Sequence, residues 1–131
     1  MAQQTVEMIL MRQLAGYLSV PVLVIDTTGT VIYYNEPAER ILGVRFEETG
    51  RIGPEEAKRL VEVGPAPETP EDSDPLMETV LRERRPVHGR RTLLRRTDGM
   101  RLRVEATAFP LFGQGDRMLG AVAMFWERST P

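Results

Sequence analysis

Residues 22–43, VLVIDTTGTVIYYNEPAERILG, contain three consecutive signals of local structure. Residues 22–26 and 31–34 are short apolar runs rich in β-branched and aromatic side chains, which favour β-strands. The turn between the two runs contains Gly29, and glycine adopts a positive φ without steric cost. The stretch therefore predicts an antiparallel hairpin.

A short helix is predicted directly after this hairpin. Asn35 is suited to the N-cap position, because its side-chain oxygen can accept a hydrogen bond from a free N–H of the first turn. Glu36 lies at the positive end of the helix dipole, and Pro37 fits the first turn. Gly43 can end the helix in the left-handed region. The predicted helix thus lies between two capping residues.

Three further strands are predicted near the C-terminus, over residues 87–96, 100–112 and 118–127. An Asp-Gly pair at 98–99 is a strong hairpin signal between the first two strands. A looser turn at 113–116 connects the second strand to the third. Consecutive hairpins of this kind predict an antiparallel meander.

The two blocks together resemble a PAS domain, a small sensor fold. PAS domains commonly begin with apolar-Asp-x-x-Gly-x-apolar followed by Asn and a short helix, a pattern that Asp26, Gly29 and Asn35 match. They end in three antiparallel strands with Asp-Gly between the first two. The resemblance covers residues 19–127 and implies an α+β fold. In that fold, a five-stranded antiparallel sheet has short helices on one face and an N-terminal amphipathic helix on the other.

Helices are also predicted over residues 5–18, over 54–63 and from Asp74-Pro75 to about Arg84, with an acidic, Pro-rich loop at 64–75. The first of these helices is amphipathic. Its apolar stripe consists of Val6, Ile9, Leu10, Leu14, Tyr17 and Leu18.

The predicted sheet is apolar on both faces. In the first hairpin, strand alternation assigns Leu23, Ile25, Ile32 and Tyr34 to one face and Val22, Val24, Val31 and Tyr33 to the other. Both faces must therefore be covered, and exposed apolar surface of this size is unusual on a monomer. We expect a homodimer whose interface includes the N-terminal helix. The chain accordingly divides into a dimerisation helix at 1–18 and a PAS domain at 19–128.

The chain of 131 residues has no cysteine and one histidine. The absence of cysteine excludes thiolate metal sites. It also excludes a covalently bonded flavin or coumarate, the chromophores that LOV domains and yellow proteins bond through a cysteine, and any other cofactor stays unknown. His88 follows Pro86 and is expected to open a strand, whereas haem-binding PAS sensors usually place the ligand on the long helix before the third strand. We therefore do not expect haem.

Membrane contact is not expected either. No apolar stretch approaches the ~20 residues that span a bilayer. No basic region precedes Glu7, so a signal peptide is not indicated. We expect a cytoplasmic protein.

An internal ligand cavity is the first candidate site. Under the resemblance, Tyr34 occupies the position just before the Asn, where a side chain can point into the cavity. Small side chains on the last two strands leave volume for a ligand of about a few hundred Å³. The candidate lining residues are Ile25, Ile32, Tyr34, Leu42, Ala106, Ala108, Ala121 and Ala123. The alternative is close packing of helix on sheet, with the Tyr34 hydroxyl hydrogen-bonded locally.

Two other kinds of site are not expected. Residues 82–103 contain nine Arg, but the net charge is −2 and no aromatic side chain interleaves them, which argues against nucleic-acid binding. We expect a solvated sheet face that pairs with the acidic segment 36–78 instead. Asp26, Glu36 and Glu39 fit turn and capping roles, so no catalytic constellation remains and we do not expect an enzyme.

The resemblance implies a sensory or signalling module that binds a small apolar ligand or a signalling protein and transmits the change through a homodimer. A ligand-free interaction module with a filled core is the alternative from another class. An enzyme acting on a small hydrophobic substrate in the same cavity is a third. No output-domain signature is present, so the chain is either a fragment of a larger regulator or a free-standing PAS protein. The start at Met1 and the short tail after the last strand favour the second.

Overall fold

The computed structural model describes residues 6–69 and 75–128, and six strands form the central sheet within these ranges. The strands are β1 (Val22–Asp26), β2 (Val31–Tyr34), β3 (Val61–Pro65), β4 (Val87–Arg95), β5 (Arg101–Phe112) and β6 (Met118–Glu127). All neighbouring strands are antiparallel, in the order β2-β1-β6-β5-β4-β3. The same ranges contain the helices α1 (Val6–Tyr17), α2 (Glu36–Leu42), α3 (Phe46–Thr49), α4 (Pro54–Leu60) and α5 (Leu76–Glu83). The predicted α+β architecture is confirmed.

The first hairpin has the predicted strands but contains an irregularity that alternation missed. The register pairs Val24 with Tyr33 but Ile25 with Val31, so Ile32 is the additional residue of a β-bulge. A bulge reverses the alternation on its strand. Val31, and not Ile32, therefore shares a face with Ile25, and the predicted faces of these two β2 residues are wrong.

Helix α2 begins and ends at the predicted caps. The Asn35 side chain accepts a hydrogen bond from the Ala38 N–H at 3.1 Å. Gly43 has a φ of 81°, and its N–H donates to the Glu39 carbonyl at 2.8 Å. Local capping chemistry thus sets both ends of this helix.

The segment after α3 differs from the prediction. The sequence predicts a helix over 54–63, but α4 ends at Leu60 and β3 follows at once. The β-branched residues Val61 and Val63 favour extended backbone once β4 supplies an edge for hydrogen bonding. The sheet therefore has six strands instead of the predicted five.

The remaining predicted elements agree closely with the structure. β4, β5 and β6 match the predicted meander to within one residue at each end, whereas the short helix α3 was not predicted. The last predicted helix corresponds to α5. Its expected start at Asp74 lies outside the described residues, together with the rest of 70–74.

Both faces of the sheet are covered by apolar side chains. The face towards α2 and α5 carries the larger cluster, here called the helix-side core, which contains Ile25, Val31, Tyr34, Ala38, Leu42, Ile52, Leu76, Val80, Leu93, Val104, Ala106, Ala108, Ala121, Ala123 and Phe125. The opposite face carries the α1-side core, which contains Met8, Ala15, Val22, Val24, Ile32 and Val122. The sheet is thus enclosed between α1 and the other helices.

Helix α1 covers the sheet with a flank that the sequence did not single out. Met8 and Ala15 are buried in the α1-side core, and Met11 packs against it. Leu18, a residue of the predicted stripe that follows the end of α1, also packs against this core. The other five residues of the predicted stripe are exposed, with exposed fractions from 44% to 90%: Val6, Ile9, Leu10, Leu14 and Tyr17. Among the described residues, no helix has the length and hydropathy needed to cross a bilayer.

Candidate functional site

The structure brings seven of the eight candidate lining residues together in the helix-side core. They are Ile25, Tyr34, Leu42, Ala106, Ala108, Ala121 and Ala123, and each is at most 4% exposed. Ile32, the eighth, is buried in the α1-side core because of the bulge in β2. Val31 takes its place on the helix side.

Four alanines of β5 and β6 lie beneath α5 and are here called the alanine floor: Ala106, Ala108, Ala121 and Ala123. Ala108 in β5 lies opposite Ala123 in β6, and Ala106 lies opposite Phe125. Helix α5 packs against both strands and buries Val80 completely. Short side chains on the two strands allow a close approach of the helix.

One polar side chain is buried on the covering helix. Thr79 is 3% exposed, and its Oγ1 has no hydrogen-bond partner among the described residues. It lies on the buried flank of α5, between Leu76 and Val80. A buried hydroxyl without a partner costs about 1–3 kcal/mol, so it marks a position where a ligand group or water can bond. Sequence reasoning missed Thr79 because no local pattern distinguishes it from other helical threonines.

Tyr34 lies in the helix-side core with its hydroxyl bonded locally. The hydroxyl oxygen is 3.2 Å from the Val44 carbonyl oxygen and 2.9 Å from Thr49 Oγ1. Burial raises the pKa of Tyr34 above its ordinary value, against the lowering effect of the bond to Thr49. The ring packs edge-on against Phe46, with centroids 5.2 Å apart. This arrangement is the local hydrogen bonding that the packing alternative predicts.

The surface grooves lie elsewhere. One of about 440 Å³ is bounded by the α1–β1 connection, α2 and the ends of β5 and β6, and Phe125 and Trp126 are among its lining residues. Phe125 also belongs to the helix-side core, so its ring separates this groove from the alanine floor. Two further grooves, of about 510 and 310 Å³, lie along α2 and α3 and beside Arg12 of α1. None of the eight candidate residues lines any of the three.

Helix α1 is held at the edge of the sheet by a cation–π contact. The Arg12 guanidinium carbon lies 4.9 Å from the centroid of the Tyr33 ring and 5.9 Å from that of Phe46. Phe46 also contacts Tyr34, so one aromatic ring connects α1 with the helix-side core around the β2 edge. These contacts attach α1 to the β2 edge of the sheet. The sequence shows the residue types but not their proximity.

The Arg-rich strands are partly neutralised by acidic side chains. Arg96 Nη2 lies 2.6 Å from Glu62 Oε2, in the acidic segment 36–78 with which such pairing is predicted. Arg90 pairs instead with Glu105 of β5, which lies outside that segment. Surface ion pairs of this kind contribute little to stability. They give the Arg-rich strands a surface of mixed positive and negative charge.

Arg95 forms the most complete of the ion pairs. Its Nε and Nη2 donate to the two carboxylate oxygens of Asp98 at 3.0 and 2.7 Å, and its Nη1 donates to the Arg40 carbonyl at 2.6 Å. The bond from Arg95, followed by the bond from the Met100 N–H, lowers the pKa of Asp98 to about 2. The β4–β5 turn is thereby attached to α2.

The only histidine lies where the sequence places it. His88 is the second residue of β4 and is exposed, with Nδ1 2.9 Å from Thr107 Oγ1. Within the described ranges, no group of three or more His, Asp and Glu side chains is arranged to hold a metal ion.

Comparison with known proteins gives one family. The family model described as the PAS fold matches residues 10–127. A comparison with curated protein sequences finds no match.

Solved structures with the same fold come from several bacteria. The PAS domain of a protein from Colwellia psychrerythraea is 20% identical, with a TM-score of 0.65 over 92% of this chain and 96% of that one. The LOV protein of Rhodobacter sphaeroides is 13% identical, with a TM-score of 0.72 over 95% and 69%. The PAS domain of nitrogen regulation protein NR(II) from Vibrio parahaemolyticus is 17% identical, with a TM-score of 0.64 over 91% and 98%. At these identities the similarity shows the fold.

Proposed function

Because this chain belongs to the PAS family, whose members are in general sensory and non-catalytic modules, we propose that it is a signalling module that acts through a homodimer. Its input is a small, largely apolar ligand received in the helix-side core. Its output is a change in the dimer formed by α1.

The exposed stripe of α1 is the observation on which this proposal rests. The helix already covers the sheet with its Met8–Ala15 flank, so the stripe is additional apolar surface. Burying a Leu or Ile side chain contributes about 1.5–3 kcal/mol, and five such apolar side chains lie exposed on one 12-residue helix. A two-fold axis beside α1 brings the same stripe of two copies together, as closed dimers require. A second copy of the chain is therefore the partner that we assign to this surface.

Two features support a ligand in the helix-side core. The alanine floor provides space for an apolar body if α5 moves outward, and the Thr79 hydroxyl provides one unused hydrogen-bonding group. The ligand that fits this chemistry is mostly apolar, with a single polar group directed at α5. Seven of the predicted residues and Val31 form its surroundings in this proposal.

A filled-core interaction module is the second candidate, and it also has support. Helix α5 packs directly on β5 and β6, and the Tyr34 hydroxyl is bonded to Val44 and Thr49 instead of facing a free volume. In that case the chain dimerises or binds another signalling protein without a ligand.

Two measurements on the full chain test the proposal. Multi-angle light scattering over a range of concentrations should give twice the mass of the chain, and a monomer throughout contradicts the homodimer. Native mass spectrometry of mildly purified protein should show an additional small mass that is released on unfolding. A dimer that carries no extra mass, and that organic extraction shows to be ligand-free, favours the filled-core module.

A further inference from the structure

The Asn35 side chain connects four segments of the chain. Its Oδ1 accepts hydrogen bonds from the Val22 N–H at 3.0 Å and the Ala38 N–H at 3.1 Å. Its Nδ2 donates to the Ala15 carbonyl at 2.9 Å and to the Val20 carbonyl at 2.8 Å. The residue is 1% exposed, and both of its N–H donors are used. A single buried amide thus joins α1, the α1–β1 connection, β1 and α2.

Capping alone does not account for this residue. The bond to Ala38 satisfies the first turn of α2, and Ser or Asp would supply that acceptor equally well. Only an amide side chain combines such an acceptor oxygen with two N–H donors. Those donors hold Ala15, in the last turn of α1, and Val20, which follows it. The choice of Asn at this position therefore concerns α1 as much as α2.

Both helices joined in this way belong to the proposed signalling path. Helix α2 places Ala38 and Leu42 in the helix-side core, where the proposed ligand binds. Helix α1 carries the exposed stripe that forms the proposed dimer. A shift of the first turn of α2 moves Asn35, and with it the carbonyl groups that Asn35 holds.

A second set of contacts runs in parallel at the edge of the sheet. The Glu39 carboxylate of α2 accepts a hydrogen bond from the Phe46 N–H at 2.8 Å. The Phe46 ring is in turn within 5.9 Å of the Arg12 guanidinium of α1. The N-cap and the first turn of α2 are thus connected to two different turns of α1.

We infer that Asn35 is the positioning residue that couples α2 to α1, so that movement of α2 in the helix-side core changes the placement of the dimer helix. The inference rests on the proposed function, since it assigns the internal connection between the proposed input and output. It requires a coupling free energy between the two helices, and such coupling acts equally in both directions.

Two substitutions remove the amide donors of Asn35 and keep an acceptor for the cap of α2. Asn35→Asp keeps the cap of α2 but places a carboxylate against the two carbonyl oxygens, and Asn35→Ser keeps a cap without any charge. Arg40→Gln is the matched control for Asn35→Asp, because it changes the charge on α2 by the same amount at an exposed side chain. Each variant is compared with the parent by amide hydrogen exchange.

We expect both Asn35 variants to exchange roughly tenfold or more faster than the parent at the amides of residues 12–17. The Gly43 amide, bonded to Glu39 at the far end of α2, should keep the protection it has in the parent. Arg40→Gln should exchange like the parent throughout. Equal loss of protection over the whole sheet, or unchanged protection in α1, overturns the inference.

A reciprocal measurement leaves Asn35 in place. Met8→Ala loosens the buried flank of α1. The coupling then predicts faster exchange at the Val22 and Ala38 amides, which are bonded to Asn35, and an unchanged Gly43 amide. If exchange becomes faster by the same factor at all three amides, the coupling is contradicted. This measurement decides the question even if both Asn35 variants fail to fold. If light scattering shows the parent to be monomeric, the dimer proposal fails, and these exchange measurements still decide the coupling.

Discussion

Ala108 in β5 lies directly opposite Ala123 in β6, and the two are 0% and 1% exposed on the face that α5 covers. The two side chains are methyl groups on the face that α5 covers. Either α5 uses this floor for close packing, or a ligand occupies the space when α5 moves outward. The Ala108–Ala123 pair is therefore the place where a sensor and a filled-core module differ physically.

Enlarging Ala108 distinguishes the two. If the floor accommodates a ligand, we expect Ala108→Leu to keep the unfolding temperature of the ligand-free parent and to lose the bound mass in native mass spectrometry. In a core packed to full density the same change costs about 1–3 kcal/mol through overpacking. Thr107→Val is the control, because Thr107 is on the same strand but belongs to neither apolar core. A strongly destabilised Ala108→Leu protein, from a parent without bound mass, contradicts the ligand.

Replacing Thr79 by valine tests the polar end of the proposed ligand. Valine has nearly the same shape but no hydroxyl, so it removes a buried group without a partner. We expect the ligand-free protein to gain about 1–2 kcal/mol of unfolding free energy. Ligand affinity should fall about tenfold, which corresponds to one hydrogen bond. Urea unfolding and thermal shift with the extracted ligand measure the two effects. Thr92→Val, the same change at a half-buried threonine of β4, is the control. Unchanged affinity would show that Thr79 does not contact the ligand.

Charging the stripe of α1 tests the dimer. The double variant Leu10→Glu, Leu14→Glu places like charges in the proposed interface at side chains that are exposed in one protomer. We expect a folded monomer by sedimentation velocity, with unchanged circular dichroism. Val63→Glu adds charge to an exposed apolar residue on β3, at the edge of the sheet away from α1, and should remain dimeric. If the double variant is still a dimer, the interface does not include the stripe of α1.

The Arg95–Asp98 ion pair gives a prediction about the stability of the protein at low pH. The pKa of Asp98 is lowered from 3.8 to about 2, so the folded protein binds this proton less readily than the unfolded chain. The contribution of the pair is then fully present above about pH 4 and is lost as the pH falls towards 2. Carboxyl resonances followed by NMR should show a midpoint near 2 for Asp98. Arg95→Lys, which keeps the charge but not the paired donors, should raise that midpoint, and a parent midpoint near 3.8 contradicts the pair.

The predictions that succeeded depended on interactions close along the chain. The strands of the first hairpin and the caps of α2 were predicted with the observed bounds, because Gly29, Asn35 and Gly43 act on backbone within a few residues of themselves. The Asp-Gly turn likewise placed β4 and β5 to within one residue. Six of the candidate residues lie on strands and share the helix-side core, because strand alternation is local wherever the strand is regular.

The predictions were wrong or incomplete where contacts with residues distant in the sequence determine the local conformation. Val61 and Val63 became a strand because β4, some thirty residues later in the chain, pairs with them. The bulge at Ile32 is defined only against the register of β1. Thr79 is unpaired only because of what surrounds α5, which its neighbours in sequence do not reveal.

The sequence by itself determined that the chain has the elements of a PAS domain, that its sheet is apolar on two sides, and that α1 is amphipathic. These properties follow from residue order, since capping, turn formation and side-chain periodicity act over a few residues. Tertiary structure alone decided which flank of α1 meets the sheet. Met8, Met11 and Ala15 form one apolar flank of α1, and the predicted stripe forms another. The first of these flanks is the one that packs on the sheet. Tertiary structure also brought Ala15 to the amide of Asn35, because such contacts depend on how whole elements pack.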